Sequence, residues 1–141
     1  METNEKLTPA NIRYLLTMKA FTDENKPIRN TYLAEYLHYK KSSVHSMLSN
    51  LTAIGMIRKD DNNVIHLTEK GTETAARYQA YYNIIETMMQ KCFPDFGSRE
   101  GAVLALLAEI PEQDLQRFCS ETTDMRNHFK KMKVSICVKF Y

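Results

Sequence analysis

The sequence is poor in the residues and segments that mark disordered, membrane-spanning and secreted proteins. Only 4 of its 141 residues are glycine and 4 are proline, which argues against a linker-rich or disordered chain. No apolar run approaches the roughly 18 residues of a membrane-spanning helix, and the polar start METNEKLTP lacks the apolar stretch of a secretory signal. The three cysteines, Cys92, Cys119 and Cys137, lack C-x-x-C spacing and favour reduced thiols. We therefore expect a protein of the cytoplasm that makes no membrane contact.

Signatures of common enzyme classes are missing as well. There is no G-x-S-x-G nucleophile motif, no glycine-rich phosphate loop and no H-E-x-x-H zinc motif. The hydrophobic fraction of 43% and the charged fraction of 26% are ordinary for a globular protein. The length suits one compact domain, or one small domain with a helical appendage. We therefore expect a folded protein that is not an enzyme.

Charge is distributed unevenly along the chain, although the formal net charge is only +2. Residues 38–59 contain no acid and four cations, which are Lys40, Lys41, Arg58 and Lys59. Residues 86–124 contain eight acids and only three lysines or arginines. A basic first half joined to an acidic second half indicates that the first half meets a polyanion and the second does not.

The spacing of apolar residues predicts a mainly α-helical fold with one small hairpin. Two short strands, around 57–59 and 64–67, are joined by the turn-forming residues DDNN. The alternating pattern of KVSICVKFY predicts a further strand at the C-terminal end. The predicted helices begin at or after Thr8, Asn30, Ser42, Thr68, Ser98, Pro111 and Asp124, and the third stops at Gly55 while the fourth continues to about Lys91.

The predicted elements follow the order of a winged helix-turn-helix: helix, short helix, tight turn, third helix and hairpin. The third helix of this fold enters the major groove of DNA. The exposed face of that helix is rich in serine and has no acid, and short hydroxyl and amide groups can bond base edges or phosphates. Cations before the helix and on the hairpin are suited to phosphates. The candidate DNA contacts are Lys40, Lys41, Ser42, Ser43, His45, Ser46, Ser49 and Asn50 around the helix, and Arg58, Lys59, Asn62 and Asn63 on the hairpin.

The segment EYLHYKKSSVHSMLSNLTAIGMIRKDDNNVIHLTEKGTETAARYQAYYNIIETMM resembles the diphtheria-toxin-repressor family of metal-dependent repressors. Its most telling parts are SSVHSML, L-x-x-x-G-M-I and the LTEKG that opens the long helix; the first two also occur in other winged-helix regulators. The long helix after the wing favours the metal-repressor family. The resemblance implies a homodimer that binds a palindromic operator in double-stranded DNA when it is loaded with manganese or iron(II).

The positions that the resemblance assigns to the metal site depart from the family pattern. Ala10 and Arg13 stand at the first-helix acids, and Tyr82 stands at a histidine on the long helix. Glu86 and Glu100 match acidic ligands and are weak candidates for metal binding; Met88, Met89 and Cys92 could bind copper(I) or zinc, although methionines at helical spacing usually serve packing. Two isolated glutamates do not make a manganese or iron(II) site, which needs several oxygen or imidazole ligands. We therefore expect a metal switch that is lost, reduced or rebuilt, and the cofactor stays unknown.

The sequence thus predicts a sequence-specific transcription regulator, a repressor, with a DNA-binding domain over 1–72. Residues 73–141 are expected to form the long helix and a small helical dimerisation domain, because the fifth helix carries more apolar residues than one thin layer buries. One alternative is a regulator of the multiple-antibiotic-resistance type, with an organic ligand near Tyr78, Tyr81 and Tyr82. Another is a winged helix that binds proteins and has lost DNA binding.

Overall fold

The computed structural model describes the backbone of residues 6–95 and 97–132, and the side chains of this range as far as residue 122. Its mainly helical architecture is a winged helix-turn-helix followed by a long helix, as the sequence predicted; two further helices follow, where the sequence predicted three. The predicted C-terminal strand, residues 134–140, lies outside the described residues. The elements are α1 (Pro9–Asp23), α2 (Asn30–Leu37), α3 (Lys41–Ala53), β1 (Ile57–Lys59), β2 (Ile65–Leu67), α4 (Glu69–Cys92), α5 (Glu100–Glu109) and α6 (Glu112–Met132).

Helix α1 forms the centre of the hydrophobic core. Its start is fixed by Thr8, whose hydroxyl accepts a hydrogen bond from the backbone N–H of Asn11 at 3.1 Å, and by Pro9 in the first turn. Ile12, Leu15 and Met18 are completely buried. Because α1 packs against both α4 and α5, the residues after the wing complete the core of the residues before it.

Helices α2 and α3 form the helix-turn-helix unit and pack against each other. Their buried residues are Leu33 and Ala34 of α2 and Val44, Leu48 and Leu51 of α3. His38 ends α2 in the left-handed conformation, with φ of 56°. The predicted cap at Asn30 is wrong. The extended residue before α2 is Arg29, which makes no side-chain capping bond, and Asn30 is already helical.

The end of α3 is closed by Gly55, whose φ of 79° is the left-handed geometry that glycine adopts at this position of a helix end. The N–H of Gly55 donates to the carbonyl of Thr52 at 3.0 Å, and the N–H of Met56 donates to the carbonyl of Leu51 at 2.9 Å. Lys70 of α4 donates to the carbonyl of Ile54 at 2.9 Å. These bonds satisfy carbonyls that a helix end leaves free, so the direction in which the chain enters the hairpin is well fixed.

Strands β1 and β2 form the predicted hairpin, which is the wing. They pair antiparallel, with Ile57 opposite Leu67 and Lys59 opposite Ile65. Ile65 also forms an isolated bridge with Ile28, and its N–H donates to the carbonyl of Ile28 at 2.9 Å. The segment between α1 and α2 therefore holds the wing from its other side.

The long helix α4 begins as predicted, with the hydroxyl of Thr68 accepting a hydrogen bond from the N–H of Gly71 at 3.1 Å. A Cβ atom on Gly71 would lie 1.9 Å from the carbonyl oxygen of Met56. Glycine at this position therefore allows the first turn of α4 to approach the residue that leads into β1. Farther along α4, Ala75, Tyr78 and Ile85 face the core.

Two predictions for the second half are wrong in detail. Ser98 does not cap α5; the residue before that helix is Arg99, and it makes no side-chain capping bond. The predicted sixth and seventh helices are one continuous helix, α6. The polar stretch around residues 120–124 contains no glycine or proline, and the hydroxyl of Thr122 donates to the carbonyl of Phe118 at 2.8 Å. Within the residues described, no helix has both the length and the apolarity to cross a membrane.

Candidate nucleic-acid interface

Helix α3 separates its apolar residues from its polar residues cleanly. Val44, Leu48 and Leu51 are buried, which turns the opposite face of the helix to the outside. All the predicted contact residues of this helix have exposed side chains, namely Ser42, Ser43, His45, Ser46, Ser49 and Asn50. The exposed face is therefore a continuous surface of hydroxyl, amide and imidazole groups without a carboxylate.

Two lysines stand at the start of this surface. Lys40 is the residue before α3 and Lys41 is its first residue, and both side chains are exposed. Neither makes a side-chain capping bond or an ion pair within the part of the chain that the structure describes. Two cations beside the N-terminal end of a helix, where backbone N–H groups point outward, suit the phosphates of a nucleic acid.

The wing carries the remaining predicted contacts. Arg58 and Lys59 are exposed on β1, and Asn62 and Asn63 are exposed at the tip. Asn63 has φ of 60°, which the tight turn requires and which asparagine tolerates better than most residues. The wing therefore presents two cations on β1 and two amides at its tip, all with exposed side chains.

Asp60 organises the turn of the wing. Its Oδ1 accepts hydrogen bonds from the N–H groups of Asn62 at 2.8 Å and Val64 at 3.0 Å, and its Oδ2 lies 2.9 Å from Nε2 of His66. The hydrogen bond with His66, followed by those from the backbone, lowers the pKa of the Asp60 carboxyl. The charge of this acid is thus directed into the hairpin. Asp61 beside it is an exposed acid that the sequence analysis left out of the interface.

Arg29 is a residue of this surface that sequence reasoning missed. Its Nη1 donates a hydrogen bond to the carbonyl oxygen of Asn62 at 3.1 Å, so a cation from the start of α2 reaches the tip of the wing. No local pattern signals this contact, because 33 residues separate its partners. The segment between α1 and α2 holds two basic residues, Lys26 and Arg29, and nothing in the sequence marks Arg29 as the one that reaches the wing.

The positions proposed for a metal site come together, but around a cation of the protein itself. Nε of Arg13 lies 3.1 Å from Oε1 of Glu100. Burial, followed by the nearby carboxylates of Glu100 and Glu86, raises the pKa of Tyr82, so all four side chains share one neighbourhood. No group of three or more histidine, cysteine, aspartate or glutamate side chains in the described part of the chain is arranged to hold a metal ion. These residues do not fit manganese or iron(II), which prefer several oxygen or imidazole ligands.

The tyrosines that could have lined a ligand pocket on α4 are used for packing. Tyr78 and Tyr81 are 6% exposed and meet edge to face, with ring centroids 5.3 Å apart. Burial raises the pKa of Tyr78 to about 12. The hydroxyl of Tyr81 and Nε of Arg77 both donate to Oε1 of Glu112, at 3.2 Å and 2.6 Å. This network attaches α4 to the start of α6 and leaves little room for a ligand beside Tyr78 and Tyr81.

Comparison with a known protein family supports the helix-turn-helix. Residues 13–61, less than half of the chain, match the model of the IclR helix-turn-helix domain. This family name differs from the metal-repressor family that the sequence resembles. No curated protein matches the chain in sequence. The match covers α2, α3 and β1, and it supports a DNA-binding domain of the kind used by transcription regulators.

Several solved structures are similar to this chain. IdeR of T. acidophilum matches 79% of this chain with a TM-score of 0.61 and 18% sequence identity. The manganese regulator SloR matches 81% of this chain with a TM-score of 0.62 and 19% sequence identity. The chain spans only about half of theirs, 53% and 55%. The hypothetical protein SSo2273 of Sulfolobus solfataricus has a TM-score of 0.59 at 21% identity, over 82% of this chain and 89% of its own. The fold is a winged helix-turn-helix. Identities this low show the fold alone, and the type of regulator is a separate question.

Proposed function

We propose that this protein is a sequence-specific transcription regulator, a repressor, that binds double-stranded DNA. The observation that carries the proposal is the exposed face of α3, where six polar side chains and two lysines occur without a carboxylate. A carboxylate on this face would repel the phosphate backbone, whereas serine, asparagine and histidine can bond base edges. The exposed side chains that are candidates for reading bases are Ser42, Ser43, His45, Ser46, Ser49 and Asn50.

The phosphate contacts of the proposed complex come from cations on three separate segments. Lys40 and Lys41 lie at the start of α3, Arg58 and Lys59 on β1, and Arg29 beside the tip of the wing. Such contacts fix the position of the protein on the duplex and supply most of the salt-dependent affinity. Base contacts from α3 then supply the sequence preference.

The proposed regulator acts as a homodimer in the cytoplasm, with no catalytic activity of its own. In this arrangement residues 1–72 bind DNA and residues 73–141 form the dimer interface. Each subunit places its α3 in a major groove, and the two copies of α3 lie about one turn of DNA apart, as the two-fold symmetry of a palindromic operator requires. Helix α4, with 24 residues, is about 36 Å long. Leu106 and Phe118, which are 41% and 40% exposed, are large apolar side chains available to a second copy.

The architecture of the proposed regulator is that of the metal-dependent repressors, but without their metal requirement. Arg13 already supplies a positive charge next to Glu100. Because Arg13 is held by Glu100, Glu86 is the remaining acid at these positions, and it has no ion pair within the described residues. One carboxylate does not hold manganese or iron(II). DNA binding by this protein should therefore need no added divalent metal.

The proposal is tested by selecting bound duplexes from a random pool, in parallel with manganese and with a chelator. A palindromic sequence enriched equally in both arms is the expected result. Enrichment only with manganese would contradict the metal-independent form of the proposal, and Glu86 and Glu100 would be the first residues to substitute. If no sequence is enriched in either arm, binding of DNA is contradicted and a protein-interaction module is favoured.

A matched pair of variants then locates the interface. Lys41→Glu reverses a charge at the start of α3 and should abolish binding of the selected duplex, as should His45→Glu within the helix. Arg117→Glu makes the same charge change on the exposed surface of α6 and should leave affinity unchanged. Equal affinities for the Lys41→Glu and Arg117→Glu proteins would exclude α3 as the DNA-binding helix.

A further inference from the structure

A cavity of about 570 Å³, open to the outside, lies on the side of the helix-turn-helix unit, between the end of α1, the loop after it and α2. Its volume falls within the range of about 300–1,000 Å³ that small-molecule sites in proteins occupy. The walls are Phe21 and Glu24 from α1 and the residue that follows it, Lys26 from the loop, and Tyr32, Glu35 and Tyr36 from α2. None of these residues belongs to the DNA-binding surface described above.

Aromatic rings form most of the apolar wall. Tyr32 and Tyr36 are one helical turn apart on α2 and are 50% and 61% exposed, although tyrosine usually covers most of its ring in a folded protein. Tyr36 is held from one side by Phe21, which meets it edge to face with centroids 5.1 Å apart. The faces of aromatic rings carry partial negative charge and attract cations.

The charged groups of the cavity also favour a cationic ligand. Lys26 is paired with Glu24, and this hydrogen bond and the charge of Glu24 raise the pKa of Lys26. Glu35 is exposed and has no ion pair within residues 6–95 and 97–122. Two carboxylates against one ammonium leave the cavity with a net negative charge, and the carboxylate of Glu35 is available to a ligand.

We propose that this cavity binds a small organic cation, an amine or quaternary ammonium with a hydrocarbon body. The ammonium group would lie between Glu35 and the rings of Tyr32 and Tyr36, and the hydrocarbon body would cover the apolar wall. Because α2 packs against α3, a ligand between α1 and α2 acts on the helix that the proposed function places in DNA. The cation is the effector of the regulator, and this consequence rests on the proposed function.

The first experiment measures binding of choline to the full chain in the absence of DNA, by two-dimensional NMR. Its neutral isostere 3,3-dimethyl-1-butanol has the same shape without the charge. Choline should shift the signals of Tyr32, Glu35 and Tyr36 saturably and bind about fivefold tighter than the isostere. Equal affinity of the two compounds, or shifts located elsewhere on the protein, would overturn the proposal.

Matched variants test the two recognition elements separately. Glu35→Gln should weaken choline binding about threefold, whereas Glu73→Gln, at an exposed glutamate of α4, should not change it. Tyr36→Leu should weaken binding by a similar factor, and Tyr36→Phe, which keeps the ring, should retain it. Equal choline affinities of the Glu35→Gln and Glu73→Gln proteins would contradict the proposal without any concern about folding, because both side chains are exposed.

A third arm distinguishes a free ligand from a lysine of another protein. A tetralysine peptide that binds at Glu35 where choline does not would overturn the small-molecule proposal and identify a protein partner. Choline should also change the affinity for the selected duplex in the wild type, and the Glu35→Gln protein should need about threefold more choline for the same change. Since the choline titration contains no DNA, its outcome and the outcome of the Lys41→Glu test are independent.

Discussion

Arg13 of α1 forms an ion pair with Glu100 of α5, with Nε of the arginine 3.1 Å from Oε1 of the glutamate. Nη1 of Arg13 also donates a 2.7 Å hydrogen bond to the hydroxyl of Tyr39. Tyr39 comes directly before Lys40 at the start of α3, and its ring stacks on Tyr14 with centroids 6.1 Å apart. One guanidinium thus joins α1, the first turn of α5 and the turn that precedes the proposed DNA-binding helix.

Reversal of the charge at Arg13 should create a response to metal that the wild type lacks. Arg13→Glu places a third carboxylate with Glu86 and Glu100 near Tyr82, and like charges repel, so the variant should lose about 1 kcal/mol of stability. Divalent cations prefer several oxygen ligands and should restore that stability. The measurement is thermal unfolding of both proteins with manganese chloride and with a chelator.

The response of the wild type to manganese tests the prediction as directly as the response of the Arg13→Glu protein. The melting temperature of the wild type should be the same in manganese and chelator. Arg117→Glu serves as the control for the charge change, since its side chain is exposed on α6. Stabilisation of the wild type by manganese would mean that the ion pair of Arg13 does not exclude a metal.

Gly71 and Gly101 should respond in opposite directions to substitution by alanine. A Cβ at Gly71 would lie 1.9 Å from the carbonyl oxygen of Met56, so Gly71→Ala must push α4 away from the hairpin. We expect a loss of about 3 kcal/mol or more in the free energy of unfolding. Gly101 has open space around it, and Gly101→Ala should add about 0.5 kcal/mol by favouring helix.

Urea denaturation of the two alanine variants and the wild type measures both effects. Gly71→Ala should lower the midpoint strongly, and the position of the hairpin should change with it. If Gly71→Ala were as stable as the wild type, the first turn of α4 could not lie as close to Met56 as the structure shows.

Local sequence signals predicted the elements well where the stabilising group is close in the chain. Thr8 and Thr68 cap helices through amides three residues away, and Gly55 ends α3 by its own backbone geometry. Two predicted helix starts were wrong by one residue, because Arg29 and Arg99 stand before α2 and α5 where the asparagine and serine beside them were expected, and neither arginine makes a side-chain capping bond. The local preference of asparagine and serine for the capping position did not decide these starts.

The parts of the candidate site that depend on distant residues could not be predicted from the sequence. The hydrogen bond from Arg29 to Asn62 depends on the bridge between Ile28 and Ile65, and the ion pair of Arg13 with Glu100 depends on the packing of α1 against α5. The exposed serine-rich face of α3 was predictable because a helix with buried Val44 must turn its polar residues outward. The DNA-contact role of that face is still a prediction.

The wing should lose stability in acid through Asp60. Its carboxyl pKa is lowered in the folded protein, first by the hydrogen bond with His66, so its contribution is present above the ordinary value of 3.8 and is lost as pH falls through the folded value. Asp60→Asn keeps an oxygen for the amides of Asn62 and Val64 but removes the charge. The difference in hydrogen-exchange protection of the Val64 amide between wild type and variant should be present at pH 6 and shrink below about pH 4.

A difference in Val64 protection that stays constant from pH 6 to pH 3 would show that the charge of Asp60 contributes nothing to the hairpin. Asp61→Asn is the matched control, because Asp61 is exposed and holds no hydrogen bond in the turn. The control should be indistinguishable from the wild type over the whole range of pH.

Arg29 should contribute to DNA binding through its positive charge and should not recognise the base sequence. Arg29→Gln removes one cation beside the tip of the wing, so it should weaken binding similarly for all duplexes and reduce the slope of log affinity against log salt by about 1. Fluorescence anisotropy of a selected and an unrelated duplex between low and moderate salt measures this slope. Arg117→Gln should keep the wild-type slope; a change in sequence preference in Arg29→Gln would instead indicate a base contact.

The dimer interface should depend on Leu106 and Phe118. Helix α5 buries Val103, Leu104 and Leu107 within its own subunit. These three residues therefore do not need the dimer contact that the sequence analysis expected for the fifth helix. Leu106 and Phe118 are the apolar side chains of α5 and α6 that stay largely exposed in the described part of the chain. Leu106→Glu with Phe118→Glu should give a folded monomer that binds the palindromic duplex far more weakly, because each half-site then binds separately.

Sedimentation equilibrium at micromolar concentration measures the mass of each protein. Ala76→Glu, on the exposed side of α4, is the control and should keep the mass of the wild type. A wild-type protein that is monomeric at this concentration would remove the dimer from the proposal. A double variant that stays dimeric would move the interface to another surface, and the exposed ring of Phe93 at the end of α4 would be the next side chain to substitute.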